Sequence, residues 1–101
     1  MEVYRLKHHG ERLLPLGISD GTELFGYRLT GWRENDMELL DCIGKIVAVR
    51  FSNNKGGLIK VLSNYDIFNK ELWLMQLNPK VVKCIPLDIV EDILLVQKAN
   101  I

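Results

Sequence analysis

Gly44-Lys45-Ile46-Val47-Ala48-Val49-Arg50-Phe51, the turn Ser52-Asn53-Asn54-Lys55-Gly56-Gly57, and Leu58-Ile59-Lys60-Val61-Leu62 decide how this chain reads. Two runs rich in β-branched residues, separated by turn formers, form a hairpin. In the first run Val47, Val49 and Phe51 share one face and Ile46, Ala48 and Arg50 the other, and the first set is the expected core face. Working outward, Leu72-Trp73-Leu74-Met75-Gln76-Leu77, Val81-Val82-Lys83-Cys84-Ile85-Pro86-Leu87 and Ile93-Leu94-Leu95-Val96 read as further strands. Ser63 to Lys70 reads as the loop between the second and third barrel strands, 58–62 and 72–77, and Asn78-Pro79 as the next turn. Leu87-Asp88-Ile89-Val90 suits a short 3₁₀ turn before a closing strand at 92–97. The fold class expected is mainly β: a small barrel core over 44–97.

Before the hairpin, Arg33 to Ile43 is the best helical window, giving one short helix over 34–43. Asn35 is placed to cap it, with Glu38 reaching back to the Asn35 amide, and Met37 and Leu40, with Leu39 and Ile43, form its apolar stripe. Gly44 stops it. Residues 1–33 read as an N-terminal β extension: a weak strand at 2–7, an edge strand at 13–18 containing Pro15, and a strand from Glu23 to Trp32. Ser19-Asp20-Gly21-Thr22 is a turn, and Gly26 and Gly31 mark bulges or close backbone approaches.

With 101 residues and 48% apolar content, one domain with one core is expected. Apolar runs of four or five residues fall far short of the ~20 that span a bilayer, so no membrane partner is expected. The N-terminus lacks the apolar block of a secretory signal, which makes a cytoplasmic location the default. Cys42 and Cys84 then read as small buried hydrophobes rather than a disulfide.

Net charge is zero, yet unevenly spread. Residues 44–83 carry +5, from Lys45, Arg50, Lys55, Lys60, Lys70, Lys80 and Lys83 against Asp66 and Glu71. Residues 34–43 carry −4, from Glu34, Asp36, Glu38 and Asp41. A basic sheet surface flanked by an acidic helix is one reading, solvated charge on outward strand positions the other.

Nothing in the sequence points to catalysis or to a cofactor. Ser/His/Asp arrangements, phosphate-cradling glycine loops and nucleotide fingerprints are missing. His8 and His9 with Cys42 and Cys84 lack the paired spacing of zinc ligands, and neighbouring side chains on a strand point to opposite faces.

From Leu39-Leu40-Asp41-Cys42-Ile43-Gly44-Lys45 through Val47-Ala48-Val49, Leu62-Ser63-Asn64-Tyr65-Asp66 and Leu72-Trp73-Leu74, the chain resembles the SH3-like and Sm-like small barrels over residues 37–96. The resemblance implies RNA contacts from an aromatic and an Asn positioned by an Asp, here Asp66, Phe68 and Asn69. Lys60 stands where that family has a glycine, and Ile85-Pro86-Leu87 where it has Ile-Arg-Gly. Gly26 to Arg33 with Gly44 to Phe51 is similar to the C-terminal β-barrel of Mu-type transposases, an accessory domain without catalytic acids. Trp73-Leu74 and Leu87-Asp88 are similar to ligand-sensing WYL domains.

Read together, the residues describe a non-catalytic binding module. The expected nucleic-acid contacts are Tyr65, Asp66, Phe68, Asn69, Lys60 and Lys70, which offer bases an aromatic surface and phosphates a cation. Single-stranded RNA or DNA is the expected partner. The alternative is a protein adaptor or assembly subunit, pairing edge strands with a protein partner or with itself as a homo-oligomer. Tyr65, Phe68 and Trp73, interleaved with Lys60, Lys70 and Arg50, offer base stacking and phosphate pairing on one reading, while the other puts Trp73 in the core with Tyr65 and Phe68 pinning the loop. Trp32 is expected in the core or as an interface anchor.

Overall fold

The computed structural model describes residues 3–54 and 56–98. Glu2 and Lys55, assigned from sequence to the first strand and the hairpin turn, lie outside them. Seven antiparallel strands form one sheet: β1 (Val3–Lys7), β2 (Glu23–Arg28), β3 (Ile46–Phe51), β4 (Gly57–Asp66), β5 (Glu71–Leu77), β6 (Lys80–Pro86) and β7 (Val90–Lys98). Their order in the sheet is β1-β2-β7-β3-β4-β5-β6. One short helix, α1 (Asp36–Leu40), and 3₁₀ turns at Leu14–Leu16, Ser52–Asn54 and Leu87–Ile89 complete the ordered elements. Among the described residues no helix is long and apolar enough to cross a membrane.

The mainly β class and the short helix are as expected, but the sheet does not close into a barrel. Among the described strands β1 and β6 are its two edges. The reason lies in the distribution of apolar side chains, which line both faces of the central strands. Val47 and Val49 are buried on one face with Leu62, Leu72, Leu74 and Ile93, beneath Trp32 and Leu39. Ile46 and Ala48, expected to face outward, pack on the other face with Leu24, Val61 and Val96, beneath Leu13 and Ile18. A sheet that buries apolar groups on both faces is a layer between two covers, not a wall around one interior.

Several local expectations change for identifiable reasons. Residues 13–18 form no edge strand. Pro15 starts a 3₁₀ turn that Gly17 ends at φ 76°, and an isolated Leu13–Ile18 bridge closes the loop. β4 runs on to Asp66, absorbing the first half of the expected loop, because a bulge between Leu62 and Asn64 resets its register against β5. The Ser63 hydroxyl bonds the Trp73 carbonyl at 3.1 Å beside that bulge.

In α1 the Asn35 side chain accepts from the Met37 amide at 3.0 Å, the expected cap. Glu38 does not complete the expected box. It accepts from the Gly31 amide at 3.1 Å, tying the helix to the chain that leads into it. The apolar stripe is Leu39 alone at full burial, 0% exposed, while Met37 is 57% exposed. Trp32 is buried, with the Arg33 guanidinium 4.3 Å over its ring.

Gly26 is the expected close approach. A Cβ there would sit 3.0 Å from Leu94 Cδ1 and 3.1 Å from Leu6 Cδ1, so its absence lets two strand neighbours meet across β2.

Candidate functional site: a cation-rimmed groove

The 13–18 cover reaches only part of its face of the sheet. It is anchored where the Leu77 and Asn78 amides donate to the Arg12 carbonyl at 2.8 and 3.1 Å. Beside it the face stays open as a groove of about 850 Å³, running across β1, β2, β7, β3 and β4. Strand alternation explains its floor. Leu6, Leu94, Ala48 and Ile59 occupy same-face positions linked by the register Gly26–Val96, Ala48–Leu94 and Ala48–Ile59. Gly57 lines one end, where a Cβ would meet the Val49 carbonyl oxygen at 2.7 Å and so no side chain fits.

The rim is cationic. Lys7, Arg12, Arg28, Arg50 and Lys60 line it with His8 and His9, and its one carboxylate among the described residues is Asp92. Arg28 pairs with Asp92 at 3.0 Å, and Arg50 Nε donates to the same carboxylate at 3.0 Å from the neighbouring strand. Asp92 thus holds two guanidinium groups at one wall. At the other end Lys60 donates to Gln76 at 3.1 Å. Its ammonium pKa is pushed down, first by burial and then by the positive charges of Arg12 and Lys83. An anion arriving there would relieve that repulsion.

His8 is the least accommodated group of the wall. Its residue is 5% exposed, and Nε2 has no hydrogen-bond partner among the described residues. Its backbone is fixed at both ends, the amide donating to the Thr22 carbonyl at 2.9 Å and the carbonyl accepting from Gly21 at 2.8 Å. Burial lowers the imidazole pKa, Lys60 and His9 add to that, and Asp20 and Glu11 oppose it.

The six residues expected from sequence separate into two places. Lys60 is part of the groove. Tyr65, Asp66, Phe68, Asn69 and Lys70 lie together at the β4–β5 turn, with Tyr65 about 16 Å farther along the strand at ~3.3 Å per residue. Asp66 there does internal work: its carboxylate accepts from the Phe68 amide at 3.0 Å, the Asn69 amide at 3.1 Å and Asn69 Nδ2 at 2.8 Å. These bonds, those from Asn69 foremost, hold its pKa below the usual carboxylate range.

Lys70 is tied to Asp36 of α1 at 2.8 Å, and the Tyr65 hydroxyl donates to the same carboxylate at 2.6 Å. Lys70 first and Tyr65 second keep Asp36 ionised to lower pH, while burial and that acidic neighbour raise the Tyr65 pKa. The turn is therefore a locked knot whose cation is already paired, presenting Phe68 at 96% exposure.

Trp73 is not in the core, being 40% exposed beside Cys84, its register partner on β6. Cys84 is itself exposed, whereas Cys42 is buried as expected.

Sequence reasoning missed Lys7, Arg12 and Arg28, and it grouped Arg50 with Lys60 and Lys70 rather than with these. Arg50 alone carried a signal, as the charged member of an otherwise apolar face, Ile46-Ala48-Arg50. No protein family, curated protein or solved structure matches this chain.

Proposed function

We propose that the protein is a non-catalytic binding module whose groove takes the backbone of single-stranded RNA or DNA. The observation that carries this reading is the composition of the rim, where Lys7, Arg12 and Lys60 with two imidazoles stand beside an apolar floor, and Arg28 and Arg50 share the one carboxylate among the described lining residues. Phosphates approach the rim, and the sugar and base edges lie against Leu6, Ala48 and Leu94. Tyr4 at the mouth of the groove supplies an aromatic face. The likeness of residues 37–96 to Sm-like small barrels is the sequence argument for the same ligand class, and a cytoplasmic location accords with it. Lys60 keeps the role expected of it, and the 65–70 turn supplies the exposed Phe68 at a second point on the surface.

Anisotropy of a labelled single strand, titrated at several salt concentrations, tests this. Three to five phosphate contacts give a log–log slope of about −2 to −3.5. A slope near zero, or no binding at low salt, overturns it.

A second reading has its own observation. Every residue of β6 except Ile85 is exposed, and a bare edge strand is the surface of a protein adaptor that adds a partner's strand to its sheet.

A further inference from the structure

β6 ends the sheet, pairing on one side only, with β5. Val81 and Val82 lie exposed on it, with Cys84, and Trp73 stands half-covered on the strand behind. Proline-free from Lys80 to Ile85, the strand offers unpaired backbone groups to another strand. We infer that its occupant is β6 of a second copy, paired antiparallel about a two-fold axis at Val82.

Symmetry restricts the register. Successive pairs in an antiparallel ladder alternate between hydrogen-bonded and non-hydrogen-bonded types, and successive side chains alternate faces. A two-fold ladder must therefore place one residue opposite its own copy. An axis at Lys83 sets two ammonium groups directly opposite, which is unfavourable. An axis at Val81 brings Pro79 against Lys83, and one at Cys84 brings Pro86 against Val82, so each shortens the ladder. Among the axes that set no like charges directly opposite, the Val82 axis gives the longest proline-free ladder, from Lys80 to Cys84.

The side chains agree with it. Val82 meets its own copy, with Met75 behind each in the same row. Lys80 of the second copy falls opposite Cys84, in the row that continues to Trp73, where an ammonium group meets an exposed indole. Lys83 falls opposite Val81, so no like charges stand directly opposite, and the two Lys83 are diagonal neighbours across the axis. The dimer carries two grooves, and where the proposed function holds it binds one long strand at two places with gained avidity.

Oxidative cross-linking tests both the contact and its register. In a Cys84→Ser background, Val82→Cys places two thiols at the axis, 4.5–5.5 Å apart between Cα atoms by general sheet geometry, and mild oxidation gives a disulfide-linked dimer. Cys84 in the unmodified chain lies about 13 Å along the ladder from its copy and gives none. Sedimentation shows dimer for the unmodified chain, and Val82→Lys, which puts like charges on the axis, raises the dissociation constant at least tenfold while the melting temperature of the monomer stays unchanged. A chain that stays monomeric at every concentration overturns the contact, and a Cys84–Cys84 disulfide overturns the register. Oligonucleotide binding by a strictly monomeric chain sinks the dimer and leaves the groove standing.

Discussion

Leu39→Ala is the substitution on which the packing account is most exposed. Leu39 is the one fully buried residue of α1, and it belongs to the buried cluster that contains Val47, Val49 and Leu62. Removing a fully buried leucine side chain costs about 2–5 kcal/mol, from lost transfer energy and the cavity left behind. A small domain has about 5–15 kcal/mol in total, and each kcal/mol moves Tm by ~4–8 °C at this size. Thermal unfolding followed by circular dichroism should therefore fall by at least about 8 °C. Met37→Ala, two residues away on the same helix but 57% exposed, should stay within about 0.5 kcal/mol of the parent. A larger loss for Met37→Ala than for Leu39→Ala would refute the assignment of the buried face.

His8→Leu removes a buried, unpartnered imidazole and should be neutral or stabilising by about 1 kcal/mol in urea titrations at pH 7. Because the folded-state pKa of His8 is lowered, the unfolded chain binds the extra proton, so parent stability holds above pH 6.5 and falls as the pH drops below it. The variant should lack that part of the pH dependence, and an unchanged profile would contradict it. A maleimide should label Cys84 at once in the native protein, while Cys42, buried and with its thiol pKa pushed up by burial, should react only on unfolding. Equal rates at the two positions would contradict the burial assigned to them. The Asp36–Lys70 and Asp36–Tyr65 bonds depend on an ionised carboxylate whose pKa is lowered in the fold, so they persist as the pH falls to its ordinary value of 3.8 and are lost below it. The Tyr65 ultraviolet signal should change there, and Asp36→Asn should abolish that change.

How much of this was legible in the sequence follows from the range of the interactions. Strand periodicity showed Val47 and Val49 pointing inward, and Asn35 announced the helix start, because both signals are local. That Ile46 and Ala48 are also covered could not be read from β3, since their cover is Leu13 and Ile18, some thirty residues earlier in the chain. The same distance hid the open sheet and the groove. Lys7, Arg12, Arg28, Arg50 and Lys60 come from separate stretches, and only the β1-β2-β7-β3-β4 order brings them to one rim. At the 65–70 turn the expected residues are indeed neighbours, but Asp36, distant in sequence, already occupies the cation expected for phosphate.

Amide chemical shifts of the isotopically labelled protein, followed while a single-stranded oligonucleotide is added, test the groove most directly. The account predicts shifts at Leu6, Arg12, Ala48, Lys60 and Leu94 that fade as salt rises. Shifts confined to the Phe68 turn, or none at all, would contradict it.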